Sequence, residues 1–219
     1  MSISTDVREI RGLGDSWTGW RPTTTVSSMA AAFLIAFASA ATVLAIFGVG
    51  EGTSIALRVT ARWSFFLFWL AYTGSAMARL FGPRFAGLAR RGRDFGLSFA
   101  AAQLIHVRLV FWLFYLAPGS NGGMVFFWVG ILCTYLLALI SLPRIRDSVG
   151  PRLWPTLRTA ATEYIALAFA ADFILGPLQQ TNKLPLRYLP FALLLLGGAG
   201  LRVTAYVRQQ LHANEVKRL

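Results

Sequence analysis

Long apolar blocks, separated by short polar or basic segments, fill most of the 219-residue chain. Each block approaches the roughly 20 residues that a helix needs to cross a hydrocarbon core about 30 Å thick, and none has the short alternating strands of a membrane barrel. Short connections make consecutive helices antiparallel neighbours. The pattern predicts an all-α integral membrane protein, a six-helix transmembrane bundle with helices at 29–50, 63–81, 95–117, 123–142, 156–176 and 186–207.

The composition is that of a membrane protein rather than a soluble one. Hydrophobic side chains make up 56% of the sequence and charged ones 14%, whereas a soluble domain has about 25% charged residues. Outside the transmembrane domain at 29–207, the chain has a polar N-terminal segment at 1–28 and a tail at 208–219, both predicted to be cytoplasmic. Neither is long enough for a soluble domain and no G-x-G-x-x-G motif occurs, so we expect no flavin or nicotinamide site in this chain.

The net charge of +12 predicts the orientation of the bundle. The basic residues lie between the apolar blocks and form no stripe on a soluble face, so we expect the lipid bilayer, and no nucleic acid, as the partner. With the N-terminus inside, the inner segments hold fourteen Lys and Arg residues and the outer segments hold four. Basic residues are enriched on the cytoplasmic side of membrane proteins, which predicts that both termini are cytoplasmic.

A few ionisable side chains lie inside the predicted helices. Each costs at least about 2.5–3.5 kcal/mol to insert at mid-bilayer and therefore marks a candidate functional site. The helical rise gives the depth of each residue in the membrane. By this count the depth of Arg108, on the third helix, lies between the depths of Glu163 and Asp172, on the fifth helix. The counting predicts an ion pair of Arg108 with one of the two acids, either as a plain tie between helices or as part of a functional site. Arg158 and Arg202 lie nearer the inner edge, where their side chains reach the headgroups.

His106 is the one histidine inside a predicted helix. Neutral imidazole is a common axial ligand for haem iron in helical bundles, and it hydrogen-bonds to neighbouring helices just as commonly. The single cysteine, Cys133, makes no intrachain disulfide, and no C-x-x-C or Cys/His cluster suggests zinc or an iron–sulfur centre. The residues alone leave both roles of His106 open.

Short motifs in the second and third blocks carry a resemblance to a known family. The second helix opens at an Arg-Trp pair, a double-Arg loop follows, and a Phe-Gly-Leu start to the third helix precedes a histidine; these are Arg62-Trp63, Arg90-Arg91, Phe95-Gly96-Leu97 and His106. In these motifs the chain resembles, over about residues 60–210, the ferric-reductase-like transmembrane domain family. The similarity is to its bacterial branch, which includes the haem-binding membrane subunit of the methionine sulfoxide reductase system.

The resemblance implies a multi-pass protein of the bacterial cytoplasmic membrane that carries electrons through b-type haem, with His106 as a ligand to the haem iron. It also implies a redox or periplasmic partner protein, and inner arginines that bind haem propionates or that partner. In the family, two histidines on the fifth helix complete the ligand set. Here their positions fall at Arg158 and at Ala171 or Asp172, none of which is an ordinary haem ligand.

Two functions are compatible with this sequence, and both leave enzymatic activity open beyond an electron-transfer subunit of an oxidoreductase. The first is membrane electron transfer through haem b held by His106, alone or with a non-standard second ligand from among Met124, Cys133 and Tyr164. The second is a non-enzymatic membrane scaffold or partner subunit, in which haem is replaced by a buried ionic network of Arg108, Arg158, Glu163 and Asp172. A small transporter would need an inverted repeat or broken helices, and the sequence shows no repeat.

Overall fold

The computed structural model describes residues 22–116, 124–142, 145, 150, 153–181 and 185–218. The elements in these ranges are all helical and include no strand, which confirms the all-α class. The helices are α1 (Pro22–Phe81), α2 (Ala86–Arg90), α3 (Gly92–Leu116), α4 (Met124–Ile140), α5 (Leu153–Ala170), α6 (Gly176–Thr181) and α7 (Leu189–Arg218). A short 3₁₀ turn, Pro83–Phe85, precedes α2, and a π-helical segment, Ala171–Leu175, joins α5 to α6.

Several helices have the length and composition of membrane spans. Four stretches of the described chain are long and apolar enough to cross a bilayer, namely Thr23–Phe81, Gly92–Leu116, Leu153–Leu178 and Leu189–Glu215. Large apolar side chains such as Leu34, Phe37, Leu132 and Leu196 are exposed on the outside of the bundle. Extensive apolar exposure of this kind suits contact with lipid rather than water. The described helices therefore fit a multi-pass membrane protein.

Helix α1 folds back on itself at Gly48. The backbone of this residue has φ 70° and ψ 177°, which is not helical, and glycine adopts a positive φ without the steric cost that a side chain brings. Residues on the two sides of the turn come close together. A Cβ built on Gly52 would lie 3.3 Å from Cα of Leu44, and Trp63 Nε1 donates to the carbonyl oxygen of Ala32 at 3.1 Å. α1 is therefore a hairpin of two antiparallel arms.

The first arm comprises residues 22–47 and the second arm residues 49–81. The predicted blocks at 29–50 and 63–81 largely coincide with these arms, but the segment at 51–62, predicted as an outer connection, is helical. That prediction was wrong because one glycine is enough to reverse the chain, so the helix resumes at once. The charged residues in the segment lower its hydropathy without breaking the helix.

The chain ends also differ from the sequence-based boundaries. Of the predicted N-terminal segment, residues 1–21 lie outside the described residues, while 22–28 form the first turns of α1. The predicted tail from residue 208 onward is a continuation of α7, which remains helical to Arg218.

Helix α7 runs beside the second arm of α1 in the same direction. Trp69 Nε1 donates to the carbonyl oxygen of Leu194 at 2.7 Å, and further along both helices Arg79 Nη1 donates to Gln209 Oε1 at 2.8 Å. From the first contact to the second, the residue numbers increase along both helices, so the two helices are parallel. Two helices that follow one another in sequence would be antiparallel, and α7 is separated from the second arm by α3, α4 and α5.

Aromatic side chains fill the core between the second arm, α5 and α7. Phe65, which is 1% exposed, has its ring centroid 5.2 Å from those of both Phe169 and Phe173 in edge-on geometry. Phe191 stacks on Phe173 with the centroids 5.2 Å apart. Lipid tails are as apolar as these rings, so packing density rather than removal from water holds such a core together. Edge-to-face ring pairs contribute about 0.5–1.5 kcal/mol each beyond the area they bury.

The two ends of the bundle differ in charge. The end at which the second arm finishes carries the exposed side chains of Arg79, Arg84, Arg90 and Arg91, and we refer to it as the basic end. The opposite end contains the turn at Gly48 and is the Gly48 end.

Candidate functional site

A cavity of about 630 Å³ opens between the second arm, α3, α4, α5 and the π-helical segment. Its contribution from α1 comes from residues 57–62, before the middle of the second arm, so the cavity lies in the half of the bundle nearer the Gly48 end. Aromatic rings supply much of the wall, including those of Phe99, Phe126, Phe127 and Phe169. The volume lies within the range of about 300–1,000 Å³ that is typical of small-molecule and cofactor sites.

Besides the hydroxyl residues Thr134 and Tyr188, five polar side chains line the same cavity: Arg58, Arg62, Gln103, His106 and Asp172. They come from three different parts of the chain, the second arm, α3 and the π-helical segment. A mostly apolar cavity with a few convergent polar groups is the usual form of a ligand-binding site.

His106 is held by a hydrogen bond to the second arm. Its Nδ1 lies 3.0 Å from Oγ1 of Thr60, and the same hydroxyl donates to the carbonyl oxygen of Ala56 at 2.8 Å. The hydroxyl also lies 3.2 Å from the carbonyl oxygen of Leu57, and it has one hydrogen to donate. When that hydrogen is on a backbone carbonyl, the oxygen of Thr60 accepts the proton of Nδ1, and Nε2 carries the lone pair, the arrangement that orients metal-binding histidines.

Arg62 and Gln103 each present a buried polar atom without a hydrogen-bond partner among the described residues. These atoms are Nε of Arg62 and Oε1 of Gln103. The rest of the Arg62 guanidinium is engaged, because Nη2 donates to the carbonyl oxygen of Arg187 at 3.4 Å and Cζ lies 5.2 Å from the centroid of the Phe191 ring. Buried polar atoms are nearly always paired, so these two mark the cavity as a place for a partly polar group.

Asp172 lies in the π-helical segment Ala171–Leu175 and is exposed while it lines the cavity. A π-helical turn adds a residue to the normal helical repeat and shifts the facing of the side chains that follow, and such turns are frequent at functional sites. The structure therefore brings Asp172 and His106 to one cavity, and the resemblance had placed the position of a second haem ligand at Ala171 or Asp172.

Glu163 pairs with Arg202 of α7, and this corrects the predicted pairing with Arg108. Its Oε1 lies 2.7 Å from Nη2 of Arg202, and its Oε2 accepts a hydrogen bond from the Tyr72 hydroxyl at 2.9 Å. The Arg202 guanidinium also covers the Tyr72 ring, with Cζ 4.4 Å from the centroid. We refer to Tyr72, Glu163 and Arg202 as the ionic cluster. Arg202 therefore ties helices together, whereas the sequence predicted that it would reach the headgroups.

Arg108 does not join that cluster, because its neighbour His106 lies at the level of Thr60, whereas Glu163 lies at the level of Tyr72, about 18 Å of helical rise away. It lies two residues after His106, about 200° further around the helix at about 100° per residue, and its side chain is exposed. Within the described part of the chain it forms an ion pair with neither Glu163 nor Asp172. Arg158 is exposed on α5. The four residues predicted as one ionic network thus do not form a single cluster.

Of the side chains considered as a second haem ligand, those of Cys133 and Tyr164 do not line the cavity that contains His106. Cys133 packs against the aromatic core, and the Tyr164 hydroxyl donates to the carbonyl oxygen of Phe126 at 3.1 Å. The side chain of Met124 lies outside the described residues. Among the described residues, no group of three or more His, Cys, Asp or Glu side chains is arranged to hold a metal ion. The site fits a group that needs one imidazole ligand and a largely apolar, aromatic pocket.

Tyr72 and Arg58 are polar residues of interest that sequence reasoning left out. Tyr72 sits in an apolar stretch and gives no signal until its neighbours on α5 and α7 are known. Arg58 is a basic residue five positions before the predicted block at 63–81, but the sequence-based prediction placed it in an outer connection.

Comparison with known proteins gives no relative for this chain: no protein-family model matches it, and neither a curated protein nor a solved structure matches it.

Proposed function

We propose that the chain crosses a bacterial cytoplasmic membrane six times, with both termini on the cytoplasmic side. The reversal at Gly48 supports two crossings for α1, and α3, α4, α5 and α7 supply one each. The exposed arginines of the basic end support the orientation, because positive charge is enriched on the cytoplasmic side. In this orientation the cavity lies in the outer half of the membrane.

We propose that the protein carries electrons across this membrane through b-type haem held by His106, as a ferric-reductase-like protein. The observation that carries the proposal is the 3.0 Å contact between His106 Nδ1 and Thr60 Oγ1 beside the cavity. It holds the ring beside the cavity, and with the hydrogen on Nδ1 it would leave the Nε2 lone pair for a ligand, as hydrogen bonds to metal-binding histidines do. A redox or periplasmic partner protein would then receive or supply the electrons.

The residues around the cavity would bind the haem, orient its ligand and exclude water. When bound, haem supplies a reversible one-electron acceptor within the bilayer. His106 would hold the haem iron through its imidazole, and Thr60 would orient the ring. The rings of Phe99, Phe126 and Phe169 give the cavity flat apolar walls that exclude water and suit a planar group.

The ionic cluster favours a second candidate, a haem-free membrane scaffold or partner subunit. Tyr72, Glu163 and Arg202 tie the second arm, α5 and α7 together without any cofactor. The cluster lies away from the cavity, so it does not occupy the place that haem would take. This is why electron transfer is the leading proposal.

Electron transfer across sealed vesicles tests the proposal. Haem-loaded protein is reconstituted with a reductant inside and a membrane-impermeant ferric compound outside, whose reduction is followed optically. We expect reduction by the wild-type protein, loss of reduction in His106→Ala, and retention in His212→Ala, whose ring is exposed near the end of α7 beside Glu215. Equal rates for His106→Ala and the wild-type protein would contradict electron transfer through this site.

A further inference from the structure

An open apolar groove of about 400 Å³ lies between the first arm and α3, on the outside of the bundle. Its lining side chains are all apolar and are those of Val26, Met29, Ala30, Phe33, Leu34 and Ala101. Several of them are exposed, Val26 to 64% and Leu34 to 58%. Lipid tails are as apolar as these side chains, so a groove of this kind on a membrane-facing surface fits an acyl chain.

The groove lies near the start of the first arm. The Thr25 hydroxyl donates to Asp94 Oδ1 at 2.7 Å, which joins the first turn of that arm to the first turn of α3. The groove residues of the first arm follow at 26–34, about 6–18 Å of helical rise from Pro22. The groove therefore occupies the half of the first arm that is nearer the basic end.

Arg90 lies on the same face of its helix as the groove residue Ala101. The backbone hydrogen bonds continue across the break between α2 and α3, because Arg91 N donates to Gly87 O at 3.2 Å and Phe95 N donates to Arg91 O at 3.0 Å. Arg90 and Ala101 are separated by about three helical turns, so they share one face and lie about 16 Å apart along the axis. A cation thus lies beyond the groove in the direction of the basic end.

Two neighbouring guanidinium groups supply positive charge at this point. Arg90 and Arg91 are both exposed, and within the described ranges neither forms an ion pair. Asp94, one turn further along, is the acid on the same face, and its Oδ1 accepts the hydrogen bond from Thr25. The planar donor fork of arginine suits phosphate oxygens.

The spacing of charge and groove matches one leaflet of a membrane. A hydrocarbon core about 30 Å thick is about 15 Å deep in each leaflet. A phospholipid with its phosphate at Arg90 therefore has an acyl chain long enough to reach Ala101. A zwitterionic headgroup brings its own cation next to the phosphate, whereas an anionic headgroup leaves the negative charge free to pair with both arginines.

We propose that Arg90, Arg91 and the apolar groove form a binding site for one anionic phospholipid. The guanidinium groups hold the headgroup phosphate, and the groove between the first arm and α3 holds an acyl chain. The site is independent of haem, and the proposed orientation determines only the leaflet, which is the inner one. A lipid bound there would join the first arm to α3 beside the hydrogen bond between Thr25 and Asp94.

Native mass spectrometry of the full-length protein in detergent tests the headgroup preference. Dioleoylphosphatidylglycerol and dioleoylphosphatidylcholine are titrated separately, because they have the same acyl chains and the same phosphate and differ in net charge. One basic residue near a membrane surface favours an anionic lipid by about fivefold. We expect phosphatidylglycerol to bind at least about fivefold more tightly, and equal affinity for the two lipids would overturn the proposal.

Arginine variants assign this preference to the two side chains. Arg90→Gln and Arg91→Gln should each weaken phosphatidylglycerol binding by about fivefold and leave phosphatidylcholine binding unchanged, whereas Arg90→Lys should keep the preference because it keeps the charge. Arg108→Gln is the matched control, since Arg108 is an exposed arginine on α3 about 27 Å of helical rise from Arg90. An equal loss of preference in Arg108→Gln and Arg90→Gln would contradict a site at residues 90 and 91.

Two alanine variants test the groove. Ala30 lines the groove and Ala31 does not, and both side chains are exposed, so neither Ala30→Trp nor Ala31→Trp fills the core. We expect Ala30→Trp to weaken phosphatidylglycerol binding by several-fold, because the indole occupies the place of the acyl chain, and Ala31→Trp to bind as the wild-type protein does. Equal affinity of the two variants would overturn the acyl-chain site. Haem binding by His106 is untouched by either result.

Discussion

Nδ1 of His106 lies 3.0 Å from Oγ1 of Thr60, across the interface between α3 and the second arm of α1. Thr60 is fully buried and donates its own proton to Ala56 within its helix. One threonine of the second arm therefore holds the imidazole ring of α3 in place. The imidazole ring is oriented before any ligand binds, so the side chain loses less conformational entropy on binding.

Thr60→Val tests this orientation with little change in shape. The variant keeps the size of the side chain and removes the hydroxyl, so the imidazole loses the partner that holds Nδ1–H. We expect haem affinity to fall by about tenfold or more, because partners of this kind typically contribute 10–100-fold to metal-site affinity. Thr73→Val is the control, since Thr73 is also fully buried and, among the described residues, its hydroxyl donates to Trp69 of its own helix. Equal affinities for the two variants would argue against the orienting role.

The ion pair between Glu163 and Arg202 should show coupling in a double-mutant cycle. Unfolding free energies of Glu163→Gln, Arg202→Met and the double variant are measured in detergent or bicelles. We expect a coupling of about 0.6 kcal/mol, the average for polar contacts in membrane proteins, and at most about 1.7 kcal/mol. The exposed fractions of the two side chains, 26% for Arg202 and 48% for Glu163, favour the lower figure.

A second cycle between Arg108→Met and Asp172→Leu serves as the control. The two side chains do not form an ion pair in the described part of the chain, so their effects should add to within about 0.5 kcal/mol. A coupling energy larger than that of the Glu163–Arg202 cycle would indicate that Arg108 pairs with Asp172, as their predicted depths suggested, and would contradict the structure.

Gly198 allows α7 and the second arm to approach closely. A Cβ at this position would lie 3.0 Å from both Cγ2 of Thr73 and Nε1 of Trp69, and Trp69 is already engaged with Leu194. Gly198→Val should therefore lower stability by about 1–3 kcal/mol through overpacking. Gly197→Val is a matched control, because a Cβ at Gly197 meets nothing within 4 Å. Thermal unfolding should separate the two variants, and similar melting temperatures would contradict the close approach.

The proposed topology predicts which side of the membrane each end of the bundle faces. In a Cys133→Ser background, Gly50→Cys near the turn and Arg84→Cys at the basic end are treated with a membrane-impermeant thiol reagent in intact cells. Both positions are exposed. We expect labelling at residue 50 in intact cells and at residue 84 only after the membrane is opened. The reverse pattern would invert the orientation, and labelling of both in intact cells would contradict the paired crossings of α1.

The sequence predicted the helical class well and the contacts between helices poorly. Apolar length is a local property, so the blocks revealed the helices, and the turn at Gly48 falls at the edge of the first block. Counting the helical rise gives depth but not the direction in which a side chain faces. Depths counted from the predicted helix ends put Arg108 within reach of Glu163, but the structure places His106 beside Thr60 and Glu163 beside Tyr72, twelve residues further along the second arm. The cavity arises from gaps between four helices, which no single segment encodes.

Haem content per chain tests the central claim most directly. Wild-type protein, His106→Ala and His212→Ala are expressed with ample haem, purified in mild detergent, and compared by the absorption spectrum of the reduced protein. We predict b-type haem bands at close to one haem per chain in the wild-type protein and in His212→Ala, and their loss in His106→Ala. A haem-free wild-type protein, or haem bands that persist at full intensity in His106→Ala, would contradict the claim that this cavity binds haem through His106.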